Sequence, residues 1–185
     1  QFGGTAFIVA LLMVILVQYD HVLNSSLGYN PANVAIADVQ DIPDTEFLKD
    51  ELRRMPMVEQ VALSVHDLMN GWGGLPVNDA SGKHIFTTRW NSFDPDFIPL
   101  MQIELAEGKN IDGPKQILIN QQFVETMKMQ ESPIGKPLPG VDREGIVVGV
   151  MKDFPIRDRY GSIRPAMVKS GMTFKSGTIP VSAAS

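Results

Sequence analysis

Asp94 and Asp96 stand two positions apart, and paired carboxylates are the groups that divide acid and base work in many hydrolases. In this sequence the pair has another explanation. Asp94-Pro95 reads as a helix opening, with the acid as cap, proline at the first helical position, and Asp96 in the first turn where the helix dipole favours a negative charge. His21, His66 and His84 are scattered, with no HxxxH or HxH spacing to gather them around zinc. No GxSxG turn presents a nucleophilic serine. Cradling a nucleotide phosphate requires a glycine-rich loop ending in Gly-Lys-Ser/Thr, whereas Gly108-Lys109 and Gly135-Lys136 are followed by Asn and Pro. The absence of cysteine removes disulfides, thiolate ligands and cysteine nucleophiles together. No catalytic residue, metal ligand or cofactor is therefore predicted. Trp72, set among Gly71, Gly73 and Gly74, is a candidate partner contact, since an aromatic ring on a loop can anchor another protein or a lipid; its alternative is to fold back onto its own domain.

The elements that hold these residues belong to a chain of 185 residues, 44% apolar, enough for one domain or two small lobes. A net charge of -5 and a pI near 5.1, with no basic cluster, leave a nucleic-acid partner without an electrostatic footprint. Acids dominate from Asp38 to Asp67 and bases from 152 to 175, so these segments either face each other or form ordinary solvated surface.

Phe2 to Val17 contains no charge and is apolar on every helical face, unlike an amphipathic helix of a soluble protein. It spans roughly 24 Å as a helix, short of the roughly 30 Å hydrocarbon core, so the expectation is a membrane helix truncated at Gln1. The alternatives are a signal peptide, which lacks its basic start here, and a buried core helix. Beyond Val17 the first Lys or Arg is Lys49, so the flank has none of the positive charge of a cytoplasmic loop, and the domain is expected outside the cytoplasm.

The remainder predicts an α+β fold. Residues 33–39 form a strand. A helix follows, capped by Asp44, with Leu48, Leu52 and Met55 on one stripe and Pro56 as its stop. Val61, Leu63 and Val65 alternate as the next strand. Residues 66–83 read as a long loop, 84–90 as a strand with Phe86, Thr88 and Trp90 on one face, and 117–120 as a strand leading into a helix from Gln121 to Met129. The run 145–150 is an apolar strand covered on both faces, with weaker strands at 166–169 and 178–182.

The apolar helix running into SLGYNPANV (26–34), then DPDFIPLMQIELAEGKNI (94–111), ILINQQFV (117–124), PIGKPL (133–138) and GIVVGVMKDFPIRDRYGSIRP (145–165), resembles the extracytoplasmic domain of MacB/FtsX-type ABC transporter permeases. The resemblance implies residues 1–23 as a truncated transmembrane helix and 24–185 as a two-lobed periplasmic domain. Its porter-like βαβ lobe would comprise roughly 30–70 and 145–185, with a second α/β lobe from about 85 to 144 inserted. It also implies mechanotransmission for export or envelope maintenance, with no chemistry of its own. The implied partners are a cytoplasmic ABC ATPase, a second permease copy, a periplasmic adaptor or substrate protein, and membrane lipid around residues 1–23; the implied location is the inner membrane. Pro99, the glycine-rich stretch around Trp72 and the tail after Pro165 depart from the pattern. Two other readings remain at this stage: a ligand-sensing domain of a membrane receptor, and a membrane-anchored hydrolase built on carboxylates.

Overall fold

The computed structural model describes residues 2–24, 27–39, 42–68, 71–79, 81–138, 140–156, 163–170 and 177–183. Residues 157–162, within the last motif quoted above, lie outside this set. Helix α1 (Phe2–Asn24) carries the apolar run, and its described apolar side chains are exposed, from Phe7 to Val17. Among the described residues no helix is long and apolar enough to cross a membrane.

A three-stranded antiparallel sheet forms from β1 (Val34–Asp38), β2 (Val58–Val61) and β10 (Thr178–Ala183), in the order β1-β10-β2. Helix α2 (Thr45–Arg53) packs on it. Asp44 caps α2 as expected, accepting a hydrogen bond from the Phe47 N–H at 2.9 Å. The helix ends before Met55, which precedes Pro56 and is thereby steered out of the helical region, so Met55 lies off the stripe and is exposed. Leu48 and Leu52 close over Val39, Val61, Leu63 and Ile179. Pro180 sits in the central strand. Ala62 N–H donates to its carbonyl at 3.1 Å, but proline has no N–H to return, and β2 ends at Val61.

The larger sheet is mixed. It contains β3 (Gly73–Asn78), β4 (His84–Ser92), β5 (Leu105–Gly108), β6 (Gln116–Asn120), β8 (Asp142–Met151) and β9 (Ala166–Lys169) in the order β3-β4-β9-β6-β8-β5, with β7 (Pro137–Leu138) also on β8. Two short helices, α3 (Phe97–Leu100) and α4 (Gln121–Thr126), complete the set. The alternation of a strand sends Ile117 and Ile119 to one core and Leu118 to the other, and Met167 opposite Ala166 and Val168. Both faces are therefore covered, as the apolar text of 145–150 predicts.

Several expectations change. The strand expected over Val61, Leu63 and Val65 lies at Val58–Val61 as β2, and beyond it Ser64 forms only isolated bridges. Residues 66–83 include β3, a strand rich in Gly and Pro that is tolerated because it lies at a sheet edge; a Cβ on Gly73 would stand 2.1 Å from the Trp90 indole nitrogen, so glycine lets that ring lie across the strand. Helix α4 ends at Thr126, and Lys128 takes a positive φ of 52°. The helix expected at Asp94 starts only at Phe97, and Asp96 occupies the cap position without a side-chain cap bond. The segment 145–185 is divided between the sheets: β8 and β9 join the larger one, where their two apolar faces are both covered, and β10 alone joins the smaller.

Candidate functional site

The two sheets meet along residues 63–65 and 92–94. Ser64 bridges Phe93 on one side and Thr178 on the other, exchanging backbone hydrogen bonds with Thr178 at 2.8 and 3.0 Å. Val65 N–H donates to the Ser92 carbonyl at 3.0 Å, and Asp94 N–H to that of Leu63 at 3.0 Å. The Ser64 hydroxyl reaches Thr178 Oγ1 at 2.8 Å. Leu63 to Val65 thus carry the hydrogen-bond ladder from the smaller sheet to the end of β4.

Four charged side chains converge at this seam. Lys49, from α2, is only 5% exposed, and its Nζ donates to Asp94 Oδ2 and, at 2.7 Å, to Asp96 Oδ2. Arg53, one helical turn on, reaches the same Asp96 oxygen at 2.5 Å. Asp94 Oδ2 also accepts from Leu63 N–H at 2.9 Å, while Oδ1 is buried without a hydrogen-bond partner among the described residues. Two positive and two negative charges balance, which is how a lysine can enter an interior at all. Burial pushes the Asp94 carboxyl above its ordinary value, against the pull of Lys49. Burial acts upward on Asp96 too, but the hydrogen bonds and charges of Lys49 and Arg53 hold it below that value. The two aspartates are therefore brought together, though as counterions of α2 and not as caps of α3.

A second attachment lies where the chain leaves α1. Gly28 has φ +71° and packs so closely that a Cβ would lie 2.7 Å from the Cβ of Phe154, while Tyr29 sets its ring edge-on to the same residue at 6.1 Å. Asn30 N–H donates to the Met101 carbonyl at 2.8 Å, and its amide reaches Gln102 Oε1 at 3.2 Å, tying the entry to β1 onto the end of α3. A third node is Asn120, 1% exposed. Its Oδ1 accepts from Phe123 N–H at 3.0 Å and Ala166 N–H at 2.8 Å, and its amide donates to Asp153 Oδ1 and the Arg164 carbonyl, joining β6, α4, β9 and the end of β8.

Trp72 lies inward, 6% exposed, edge-on to Phe93 at 5.8 Å and Phe154 at 6.3 Å. Its ring joins the core between the sheet and α3 and leaves little surface to offer a partner. His66 stacks edge-on against Trp90, and burial lowers its pKa; His84 Nε2 lies 3.1 Å from Thr87 Oγ1. Among the described residues no group of three or more His, Asp or Glu converges to hold a metal. Lys49 belongs to no motif and is not among the residues that spacing singles out. The signal was present, since Thr45, Leu48, Lys49 and Leu52 fall at i, i+3, i+4 and i+7, which puts the lysine on the buried stripe.

The chain matches no protein-family profile and no curated protein. Solved structures are similar in fold. The extracellular domain of YknZ, a noncanonical ABC-type transporter from Gram-positive bacteria, superposes with a TM-score of 0.56 at 14% identity, covering 82% of this chain and 84% of that one. The periplasmic region of MacB from Actinobacillus actinomycetemcomitans gives 0.55 at 14% identity, covering 88% and 79%. A domain of a permease from Porphyromonas gingivalis gives 0.51 at 19% identity, covering 72% and 59%. The chain thus has the fold of the extracytoplasmic domains of MacB/YknZ-type permeases, the fold that the motif resemblance implies.

Proposed function

We propose that this chain is the extracytoplasmic domain of an ABC transporter permease, which passes ATP-driven motion across the inner membrane for export or envelope maintenance and performs no chemistry of its own. The observation that carries the reading is the anchoring of the segment that follows α1. Residues 28–30 are held on Phe154 by Gly28 and Tyr29 and on the end of α3 by Asn30, just ahead of β1. A helix of 23 residues is about 35 Å long, so a tilt of about 10° displaces its far end by about 6 Å. Fixed at that end, the domain follows the helix as a lever.

In this reading residues 1–23 contact lipid, 24–185 lie on the periplasmic side, and the ATPase is a separate cytoplasmic subunit or domain. A second permease copy and a periplasmic adaptor or substrate protein complete the assembly. The junction of Lys49, Arg53, Asp94 and Asp96 stiffens the lever by fixing α2 to the segment before α3. The test is partition of the full chain between liposomes and buffer, with protease added outside. The chain should sediment with the vesicles while the domain is accessible to protease. A folded chain left wholly in the buffer would remove the membrane lever from this reading.

A further inference from the structure

Edge strands carry backbone groups that invite pairing with another chain, and most of those here are blunted. Strand β3 contains Gly73, Gly74 and Pro76 and shifts register against β4. β5 and β7 are short and shifted against β8, and β2 carries Glu59 and is shifted against β10. Strand β1, Val-Ala-Ile-Ala-Asp, differs from all four. It pairs with β10 in unbroken register over its whole length, has no Lys, Pro or Gly, and exposes Ala35, Ile36 and Ala37, with Ile36 47% exposed.

The hydrogen-bond phase of β1 follows from its ends. Ala183 N–H donates to the Asn33 carbonyl at 3.0 Å and Val39 N–H to that of Gly177 at 2.9 Å, so the odd-numbered residues bond to β10. Ile36 is out of phase with them and stands opposite Pro180, so its N–H and carbonyl point away from the sheet.

We propose that the β1 edge pairs antiparallel with the β1 edge of a second copy of this chain, about a two-fold axis through Ile36. In that register Ile36 of each copy faces Ile36 of the other and exchanges both backbone hydrogen bonds with it. Ala35 lies beside Ala37, so small side chains meet on one face, and the two isoleucines meet on the other. Asp38 falls beside Val34 and not beside another acid, so the only charge on the strand does not oppose itself. The Val34 N–H already donates to the Pro31 carbonyl at 3.3 Å, so the Ile36 pair carries the contact, in the strand order β2-β10-β1-β1-β10-β2. Five residues a side bury less than the roughly 1,200 Å² of a stable complex, so the pairing is weak for free chains and is favoured by confinement.

The absence of cysteine makes the test clean. In the full chain, in detergent micelles under mild oxidation, Ile36→Cys, Ala37→Cys and Glu59→Cys each introduce a single thiol, and circular dichroism checks that each variant folds. Directly opposed residues of a hydrogen-bonded pair lie about 5.5 Å apart, within disulfide reach, whereas the Ala37 positions are offset along the strands and Glu59 lies on the far edge. Ile36→Cys should form a cross-linked dimer at least about tenfold faster than either control. Equal rates, a faster control, or no dimer of the Ile36→Cys variant would overturn the pairing. So would selective coupling of that variant's thiol to an unrelated cysteine-bearing extended peptide, which would give the edge to a different occupant.

Discussion

Lys49 enters the interior only because two carboxylates wait there, and removing one partner of such a set leaves an uncompensated buried charge. Lys49→Met is expected to destabilise the domain by about 3–5 kcal/mol, measured by urea unfolding. Adding Asp94→Asn should recover much of that loss, because the stranded carboxylate is then neutral. If the double variant is no better than the single, the cost lies in packing and not in charge. The two aspartates also predict opposite pH behaviour. Asp96, held below its ordinary value despite its burial, stabilises the fold above the unfolded value of about 3.9 and loses that contribution as pH falls through the depressed value. Asp94, raised by burial, contributes fully below about 3.9 and loses its contribution as pH rises through the raised value. In thermal melts from pH 3 to 6, Asp96→Asn should flatten the rise of Tm with pH and Asp94→Asn should steepen it. Parallel profiles would remove this assignment of the pair.

At the scale of elements, Gly73 is explained by a neighbour across the sheet and not by a turn. Gly73 lies against the Trp90 ring, and a methyl group there meets the indole nitrogen at 2.1 Å. Gly73→Ala must therefore displace Trp90 or lift β3 from β4, an overpacking cost of about 1–3 kcal/mol, visible as a fall in Tm and a shift in tryptophan fluorescence. Gly113→Ala, at a glycine without a positive φ whose added Cβ meets only the Gln116 side chain at 3.5 Å, is the control for replacing a glycine without overpacking. Equal losses at both positions would remove the Trp90 clash as the cause. The strands themselves were plain in the sequence: 33–39, 84–90, 117–120, 145–150, 166–169 and 178–182 all coincide with strands to within a few residues, because alternation and apolar runs are local properties. β3 was not legible, since Gly and Pro obscure a strand whose only support is β4.

For the molecule as a whole, the core closes without the first helix. The described side chains of α1 are exposed, and the buried clusters begin beyond it, with Tyr29 and Val34 at their margin. Deleting residues 1–23 should leave a folded domain of higher solubility with the same cooperative unfolding transition. Loss of folding would show that α1 belongs to the core.

The sequence by itself determined the apolar start, the α+β class, most of the strands and the motifs shared with a transporter fold, because composition, periodicity and capping act over a few neighbouring residues. The tertiary structure alone decided where the charges went. Asp94 and Asp96 suit a helix opening when read in line, yet Lys49 lies 45 residues before the first of them, and only the docking of α2 against the segment before α3 turned both carboxylates toward it. The same holds for Trp72, which reads as a loop anchor until Phe93 and Phe154 close around it. Burial and ion pairing depend on which distant segments share a core, and no local pattern specifies that.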